Sequence, residues 1–292
     1  MLFASAAAAA VSLVPRRSAG AGRPGVRELV DRVSQYIAWY DREMTAVVAE
    51  ERYRQELTAV SVGRLTRELV SEIGWLSLAG LGDAIAVRDV LEVDGHPTKR
   101  EHSLRRLLEH PEAVVESMVS NLLAQSAAHN LGAESRNINF PTFPLVYVRH
   151  RHAGRSRWRV AALEGMRAVL EFKERERPTI VRSPQGEHLR GHGRVWIDEA
   201  SGRVERCEVR VDSLRRSFGF HGDRVHTATH ESTVVFAAEA AVALWVPSRM
   251  TDTYQVGSGR ETVRIAGEAT YSRYRRFRTG ARLVTPVERE DR

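Results

Sequence analysis

From residue 157 onward, apolar and polar side chains alternate along a succession of short segments. Alternation with period two is typical of strands that bury one face. Turn-forming residues separate several of these segments, at 184–186, 199–202 and 257–259. Because short turns join antiparallel neighbours, this half of the chain predicts a meander in one large sheet. The predicted strands are 157–163, 167–174, 179–183, 193–198, 203–212, 225–236, 243–256 and 261–277.

The N-terminal half contains segments with the helical spacing of apolar residues and segments with the strand period of two. Apolar residues at steps of three and four predict a long amphipathic helix over 26–48, with Pro24 and Gly25 at its start. Period-two segments at 52–60, 65–78 and 84–93 predict three further strands, and 103–129 predicts a helical region that Pro111 divides. An irregular link follows at 137–144. The chain therefore predicts helices packed on one sheet.

The first residues predict export. An alanine-rich apolar stretch over 2–14 is followed by Arg16, Arg17 and small residues of the kind found at signal-peptidase sites. No Lys or Arg precedes the apolar stretch, which leaves a cytoplasmic protein with an alanine-rich leader as the alternative. We predict a signal or leader segment over 1–22, one domain over 23–280 and a disordered tail over 281–292, with the mature protein periplasmic or extracellular.

Charge gives little information about partners. The chain has 292 residues, 44 Lys+Arg against 37 Asp+Glu and a net charge of +7. Only Lys99 and Lys173 are lysines, and the arginines alternate with carboxylates along predicted strands, which is typical of solvated faces rather than of a patch of one sign. We therefore predict no nucleic-acid partner, and a monomer for which peripheral membrane contact stays open.

No complete catalytic motif is present. The chain lacks a nucleophile elbow, a phosphate loop, a dinucleotide-binding glycine motif and a zinc-protease helix. The single cysteine, Cys207, lies in phase with apolar strand residues and is predicted to be buried. A histidine cluster is the alternative, because His221, His226 and His230 could together bind zinc in a hydrolase. The principal prediction is a protein without catalytic activity or cofactor.

Large apolar rings on predicted strands indicate a binding surface. Trp75, Trp158, Trp196 and Trp245 all fall on predicted strands, and an apolar sheet surface that the helices leave uncovered would form a groove for an acyl chain. Asp89 is the single charge on the otherwise apolar face of 84–93, where we expect either an arginine partner or a polar anchor within a cavity. These five residues are the predicted ligand-binding set.

Four C-terminal segments carry a family resemblance. Residues 193–198 (GRVWID), 202–204 (GRV), 244–250 (LWVPSRM) and 265–277 (IAGEATYSRYRRF) together resemble the outer-membrane lipoprotein-sorting, LolA-like superfamily. The chain is also similar to uncharacterised exported proteins of soil bacteria, through residues 47–53, 88–95 and 137–145. The resemblance spans most of residues 45 to 278.

The resemblance implies an α+β fold with a strongly curved antiparallel sheet, an incomplete barrel, covered by the N-terminal helix and the central helical region. It also implies that the concave face binds lipid or acyl chains. We therefore predict an exported, non-enzymatic binding protein that holds a lipid, acyl chain or other apolar ligand in its half-barrel. The alternatives are the metal-dependent hydrolase and a module that binds another envelope protein, whose groove would be filled by its own helices.

Overall fold

The computed structural model describes residues 23–45, 47–77, 84–99, 103–109, 116–132, 138–182, 186, 188–217, 224–258 and 261–276. The predicted leader over 1–22 and the predicted tail over 281–292 lie outside these residues. Within them, no helix combines the length and the apolar character that crossing a bilayer requires.

Helices make up the smaller part of the fold. In α1, Leu29, Val33, Ile37, Tyr40 and Met44 recur at helical spacing and are all buried against the sheet, so burial of one face stabilises this helix. The helices are α1 (Val26–Met44), α2 (Leu104–Glu109), α3 (Glu116–Ala128), a 3-10 helix (Phe143–Val148) and α4 (His150–Ala153).

The described residues also form twelve strands. They are β1 (Val47–Ala59), β2 (Gly63–Ser77), β3 (Ala84–Val93), β4 (His96–Pro97), β5 (Ser156–Glu164), β6 (Arg167–Glu174), β7 (Val181–Arg182), β8 (His188–Asp198), β9 (Val204–Ser217), β10 (Arg224–Glu239), β11 (Leu244–Ser258) and β12 (Glu261–Arg276). Eleven of them follow one path in the order β4-β3-β2-β1-β12-β11-β10-β9-β8-β6-β5, and β7 pairs with β8 off this path. Every pairing is antiparallel, so the predicted antiparallel sheet is confirmed.

The sheet is open but curved around a single main core. Its two end strands, β4 and β5, do not pair with each other, yet α1 contacts both β3 and β5. One apolar cluster includes Ala86 of β3, Phe172 of β6 and Ile37 of α1, so strands from both ends of the sheet share one interior with the helix. We call the sheet face that lines this interior the concave face.

In the described part of the chain, helices cover the opposite face near one end of the sheet. Val48 and Val87, whose neighbours Ala49 and Ala86 belong to the main core, form a second cluster with Leu104 of α2 and Leu122 of α3. Because neighbouring strand residues point to opposite faces, α2 and α3 pack on the side away from α1. The first part of β3, residues 84–90, is therefore largely buried on both faces.

Several predicted boundaries differ from the structure. The N-terminal helix ends at Met44 instead of 48, because Val47 and Val48 pair with Arg276 and Arg275 of β12. The predicted strand 179–183 is reduced to the two residues of β7, and β8 begins at His188, five residues before the predicted strand at 193. The irregular link predicted over 137–144 leads into the 3-10 helix and α4, which the sequence analysis did not predict.

Candidate ligand-binding face

An apolar row crosses the concave face from one side of the sheet to the other. It takes one residue from each of eight neighbouring strands, each paired in register with the next, and all eight are buried. Such a row presents a continuous apolar surface to whatever lies above it. In order across the sheet, the row comprises Leu170, Val195, Cys207, Val234, Met250, Ala269, Tyr53 and Leu69.

The chain itself lies above this row. We call α1 together with residues 143–153 the cover, since their buried side chains join the core cluster of the concave face. Tyr147 stacks on Phe172 with ring centroids 4.8 Å apart, and its hydroxyl occupies the space above Gly191, where an added Cβ would lie 2.1 Å from that oxygen. Glycine at this position therefore makes room for the cover.

Polar contacts hold the parts of the cover together. The Arg149 guanidinium donates to both carboxylate oxygens of Asp41 on α1, at 3.0 and 3.2 Å, and to the carbonyl of Ala84 at the start of β3, at 2.7 Å. The Ser34 hydroxyl donates to the carbonyl of Val148 at 2.8 Å. These bonds connect α1 to the 143–153 segment and to the end of the sheet.

A buried ion pair lies on the concave face of β1 and β3. Arg88 and Glu51 are both fully buried, and the guanidinium donates to both carboxylate oxygens, with Nη2 2.8 Å from Oε1. The Tyr53 and Phe140 rings lie 5.0 and 4.7 Å from the guanidinium carbon. Burial alone lowers the pKa of Arg88, but the adjacent Glu51 carboxylate outweighs this and raises it, so the guanidinium stays charged.

Further buried hydrogen bonds extend from this pair along the concave face. Arg88 donates to the carbonyl of Asn139 at 3.0 Å, and the Asn139 amide donates to Oδ1 of Asn130 at 3.0 Å. Tyr53 donates to Asp252 at 2.8 Å, and Gln55 accepts from the backbone N–H of Leu131 at 3.0 Å. These bonds fix Asn130, Leu131 and Asn139 against β1 and β3, so the polar part of the concave face has a structural role.

The predicted tryptophans lie at separate places. Trp75 is fully buried and stacks on Tyr274, whereas Trp158, half-buried on β5, packs against Phe172. Trp196 and Trp245 each lie under an arginine, Arg206 at 4.8 Å and Arg203 at 4.1 Å. Trp196 neighbours two buried core residues in β8, Val195 and Ile197, and therefore points to the face opposite the core. No contact joins the four rings into one group among the described residues, and their role in ligand binding stays a prediction.

Asp89 is buried on the side that α2 covers. Its carboxylate accepts from the backbone N–H of Leu104, the first residue of α2, at 3.0 Å. A carboxylate at the start of a helix satisfies an N–H group that has no partner within the helix. The contact gives Asp89 a structural role in positioning α2, on the face away from the apolar row.

The structure describes only part of the predicted histidine cluster. His230 is buried on β10, with the Phe143 ring edge-on at 5.8 Å between centroids. His226 is paired through its backbone with Arg215 and Ser258, while its side chain and all of His221 lie outside the described part of the chain. No group of three potential metal ligands occurs among the described residues. The metal site stays a prediction.

An open hollow of about 620 Å³ lies on the face opposite the cover. Its charged lining alternates in sign, as Arg194 approaches Glu171 at 3.6 Å and Arg210 bonds to Glu231 at 2.6 Å. Because its cations and carboxylates are largely paired with one another, the hollow carries no net charge that would select a ligand. It has the character of a solvated sheet face.

Sequence reasoning missed the Glu51–Arg88 pair. The available signal was that β3 has apolar residues on both faces, such as Ala86 and Val87, so both faces had to be covered and Arg88 had to be buried with Asp89. Nothing in the sequence indicated that Glu51 is the partner of Arg88, since the two residues lie 37 positions apart. Asp41 and Arg149 lie 108 residues apart, so no local signal indicated the second pair either.

Buried tyrosines make the fold sensitive to alkali. Burial raises the pKa of Tyr36 to about 12 and raises the pKa values of Tyr40, Tyr147, Tyr271 and Tyr274 further. A phenol with a raised pKa stabilises the fold fully below about pH 10, its unfolded pKa, and this contribution is lost as pH rises towards the folded pKa. We expect absorbance at 295 nm to show Tyr40, Tyr147, Tyr271 and Tyr274 ionising only with unfolding. Their titration near pH 10 in protein with unchanged circular dichroism would contradict this.

Comparisons with known proteins give little beyond the geometry. No family model matches the chain, and no curated protein matches it. Among solved structures, it is similar to a LolA superfamily protein from Nitrosomonas europaea, at 11% identity and a TM-score of 0.30, over 86% of this chain and 97% of that one. A likeness this distant carries no argument about function, and none of these comparisons supports the predicted similarity to proteins of soil bacteria.

Proposed function

We propose that this protein is an exported, non-enzymatic binding protein that holds an apolar ligand, such as an acyl chain, against the concave face. The observation that carries the proposal is the apolar row across eight strands beneath a cover that forms no strand of the sheet. Burying an aliphatic chain on such a surface is worth about 25 cal/mol per Å² before ordering costs. The ligand would take the place of side chains of the cover.

The fastening of the cover supports this proposal. The Asp41–Arg149 pair and the Ser34 hydrogen bond join α1 to residues 143–153, and both can break without disrupting any strand pairing. Movement of the cover would expose the apolar row while the sheet stays intact. Export is proposed from residues 1–22 and from the kind of ligand, since acyl chains that leave a membrane need a protein to shield them from water.

The primary test is native mass spectrometry of the protein purified from an exporting host. We expect adducts of phospholipid or fatty-acid mass that disappear on organic extraction. A bare polypeptide, together with no binding of 11-dansylaminoundecanoic acid by the extracted protein, would overturn the proposal.

Asp41→Asn is expected to accelerate exchange of the dansyl fatty acid several-fold, because the neutral amide holds Arg149 less strongly and the cover opens more often. Stopped-flow fluorescence measures this rate. Glu28→Gln is the matched control, since it breaks the exposed Glu28–Arg32 pair of the same helix and should leave the rate unchanged. Equal rates in all three proteins would show that the Asp41–Arg149 pair does not hold the cover closed.

A protein-interaction module is the second candidate. The observation that favours it is the filling of the concave face by Tyr147, Phe143 and the inner side of α1, which leaves the apolar row covered in the structure. In that case the protein purifies without lipid and binds no dansyl fatty acid. Hydrogen exchange in the cover is then equally slow with and without lipid. The experiments above separate the two candidates.

A further inference from the structure

The β1–β2 hairpin has an unusually apolar and exposed tip. Val60 is 91% exposed and Val62 is 54% exposed, and Leu65, at the start of β2, is 47% exposed. Ala59 pairs with Gly63, so residues 60–62 form a three-residue turn, closed by Gly63 at φ 72°. We call Val60, Val62 and Leu65 the hairpin tip. Half of the six exposed large hydrophobic residues in the described part of the chain belong to it, so their exposure is not scattered.

Two exposed positions of this turn are apolar. Turns are rich in Gly, Pro, Asn, Asp and Ser; in residues 57–63, LTAVSVG, Ser61 and Gly63 follow this preference but Val60 and Val62 do not, and the segment carries no charge in a chain that is 28% charged. Exposing two valine side chains to water is unfavourable. Neither side chain is buried, so packing within the fold does not require valine at these positions. The tip is therefore suited to an apolar environment outside the protein.

Apolar side chains continue from the tip into the interior. Leu57, Ala59, Leu131 and Ile265 form a buried cluster directly behind it, with Tyr254 and Val263 half-buried beside them. This cluster anchors the end of the hairpin to the body of the protein. The hairpin tip is therefore supported by side chains packed within the protein.

Two arginines lie directly behind the 60–62 turn, one register position nearer to it than Leu65. Arg64 and Arg264 are both register partners of Thr58, so they flank it on the neighbouring strands, and both are exposed. Arg64 bonds to Glu56, while Arg264 has no acidic partner among the residues that the structure describes. Cationic side chains directly behind the turn would meet lipid phosphates when Val60 and Val62 enter the acyl region.

We propose that the hairpin tip docks the protein on a lipid bilayer, with Val60 and Val62 of the turn inserted among the acyl chains and with Arg264 and Leu65 behind them at the level of the phosphates. A protein partner fits less well, because three aliphatic side chains offer roughly 350 Å² of surface at most. A standard protein interface buries about 800 Å² on each side. A projecting tip also needs no complementary pocket in a fluid bilayer. This site goes beyond the proposed function, because it lies outside the concave face and could serve either candidate.

Vesicle flotation tests the proposal with the full chain and vesicles of phosphatidylethanolamine and phosphatidylglycerol at 3:1. We expect the double substitution V60S/V62S to lower the partition coefficient between vesicles and water at least tenfold. The control M166S/V235S changes two exposed apolar residues elsewhere on the surface and should bind like the parent. All three proteins share residues 1–22, so their contribution cancels. Equal flotation of V60S/V62S and the parent, or an equal loss in both double variants, would overturn the site.

A label at the tip gives a second measurement. Cys207 is fully buried, and burial raises the pKa of its thiol, so a thiol-reactive nitrobenzoxadiazole dye will label Val60→Cys selectively in the native protein. We expect a blue shift and a several-fold gain in dye emission on adding vesicles, with no change for the dye on Met166→Cys. An unchanged spectrum at position 60 would contradict insertion. Lipid adducts in mass spectra of V60S/V62S test the proposed function separately, because Val60 and Val62 do not contact the apolar row.

Discussion

Replacing Glu51 by glutamine is expected to lower the free energy of unfolding by about 3–5 kcal/mol, since it leaves the Arg88 guanidinium buried without its counter-ion. The side chains of both residues are fully buried, and Arg88 also donates to the carbonyl of Asn139. Water cannot compensate the charge where none of the guanidinium is exposed. Glutamine keeps the size of the side chain, so the expected loss reports the missing charge and not a cavity.

Urea unfolding followed by circular dichroism measures this loss. Glu50→Gln is the matched control, because the neighbouring carboxylate is partly exposed and pairs with exposed arginines, Arg273 at 2.8 Å and Arg52 at 3.3 Å. Surface pairs of this kind are worth up to about 1 kcal/mol. A loss from Glu51→Gln no larger than that from Glu50→Gln would show that the buried pair contributes little.

The double variant E51Q/R88M separates the pair from its surroundings. It removes both charges, so neither is left buried without its counter-ion, and it should be more stable than the sum of the two single losses predicts. If the losses simply add, the two residues act independently and the carbonyl of Asn139, not Glu51, is the important partner of Arg88. Either result locates what holds residues 138–140 on the concave face.

The sheet was the most predictable part of the fold because its signal is local. Alternation along Arg203 to Asp212 and a Gly at 202 define β9 and its turn from a few adjacent residues. The end of α1 was harder to place, since Val47 happens to continue the helical spacing of Met44. Its pairing with Arg276, more than 200 residues away, is what makes it a strand residue. Tertiary pairing overrides a local period in this way wherever both conformations bury the same side chain.

The candidate site was less predictable for the same physical reason. A tryptophan on a strand indicates burial, but its position on the curved sheet depends on register, and Trp75 and Trp196 end up in different environments. Asp89 could be recognised as a charge on an apolar face, yet its bond to the N–H of Leu104 depends on where α2 packs. The cover of the concave face carries no motif, because 3-10 turns such as 143–148 have only a weak sequence signal.

Replacing Gly202 by alanine is expected to cost about 2–5 kcal/mol, for two separate reasons. The residue has φ 72°, where an L side chain loses about 1–2 kcal/mol. An added Cβ would also lie 2.5 Å from the carbonyl oxygen of Arg32 and 2.8 Å from the N of Val33, both in the backbone of α1. Overpacking of this kind costs about 1–3 kcal/mol more, because backbone cannot rotate out of the way as a side chain can.

Gly165→Ala isolates the second contribution. Gly165 has a similar φ of 63°, but nothing lies within 4 Å of the Cβ that would be added, so only the conformational cost of about 1–2 kcal/mol applies. Urea unfolding compares the two variants, and hydrogen exchange shows where the structure loosens. Arg32 of α1 also donates to the carbonyl of Glu199 at 2.7 Å, so the turn before β9 positions α1. We therefore expect faster hydrogen exchange in α1 in Gly202→Ala but not in Gly165→Ala. Equal losses in both variants would mean that α1 shifts without cost, and therefore that the cover is held by its apolar side chains and by Arg149, not by this turn.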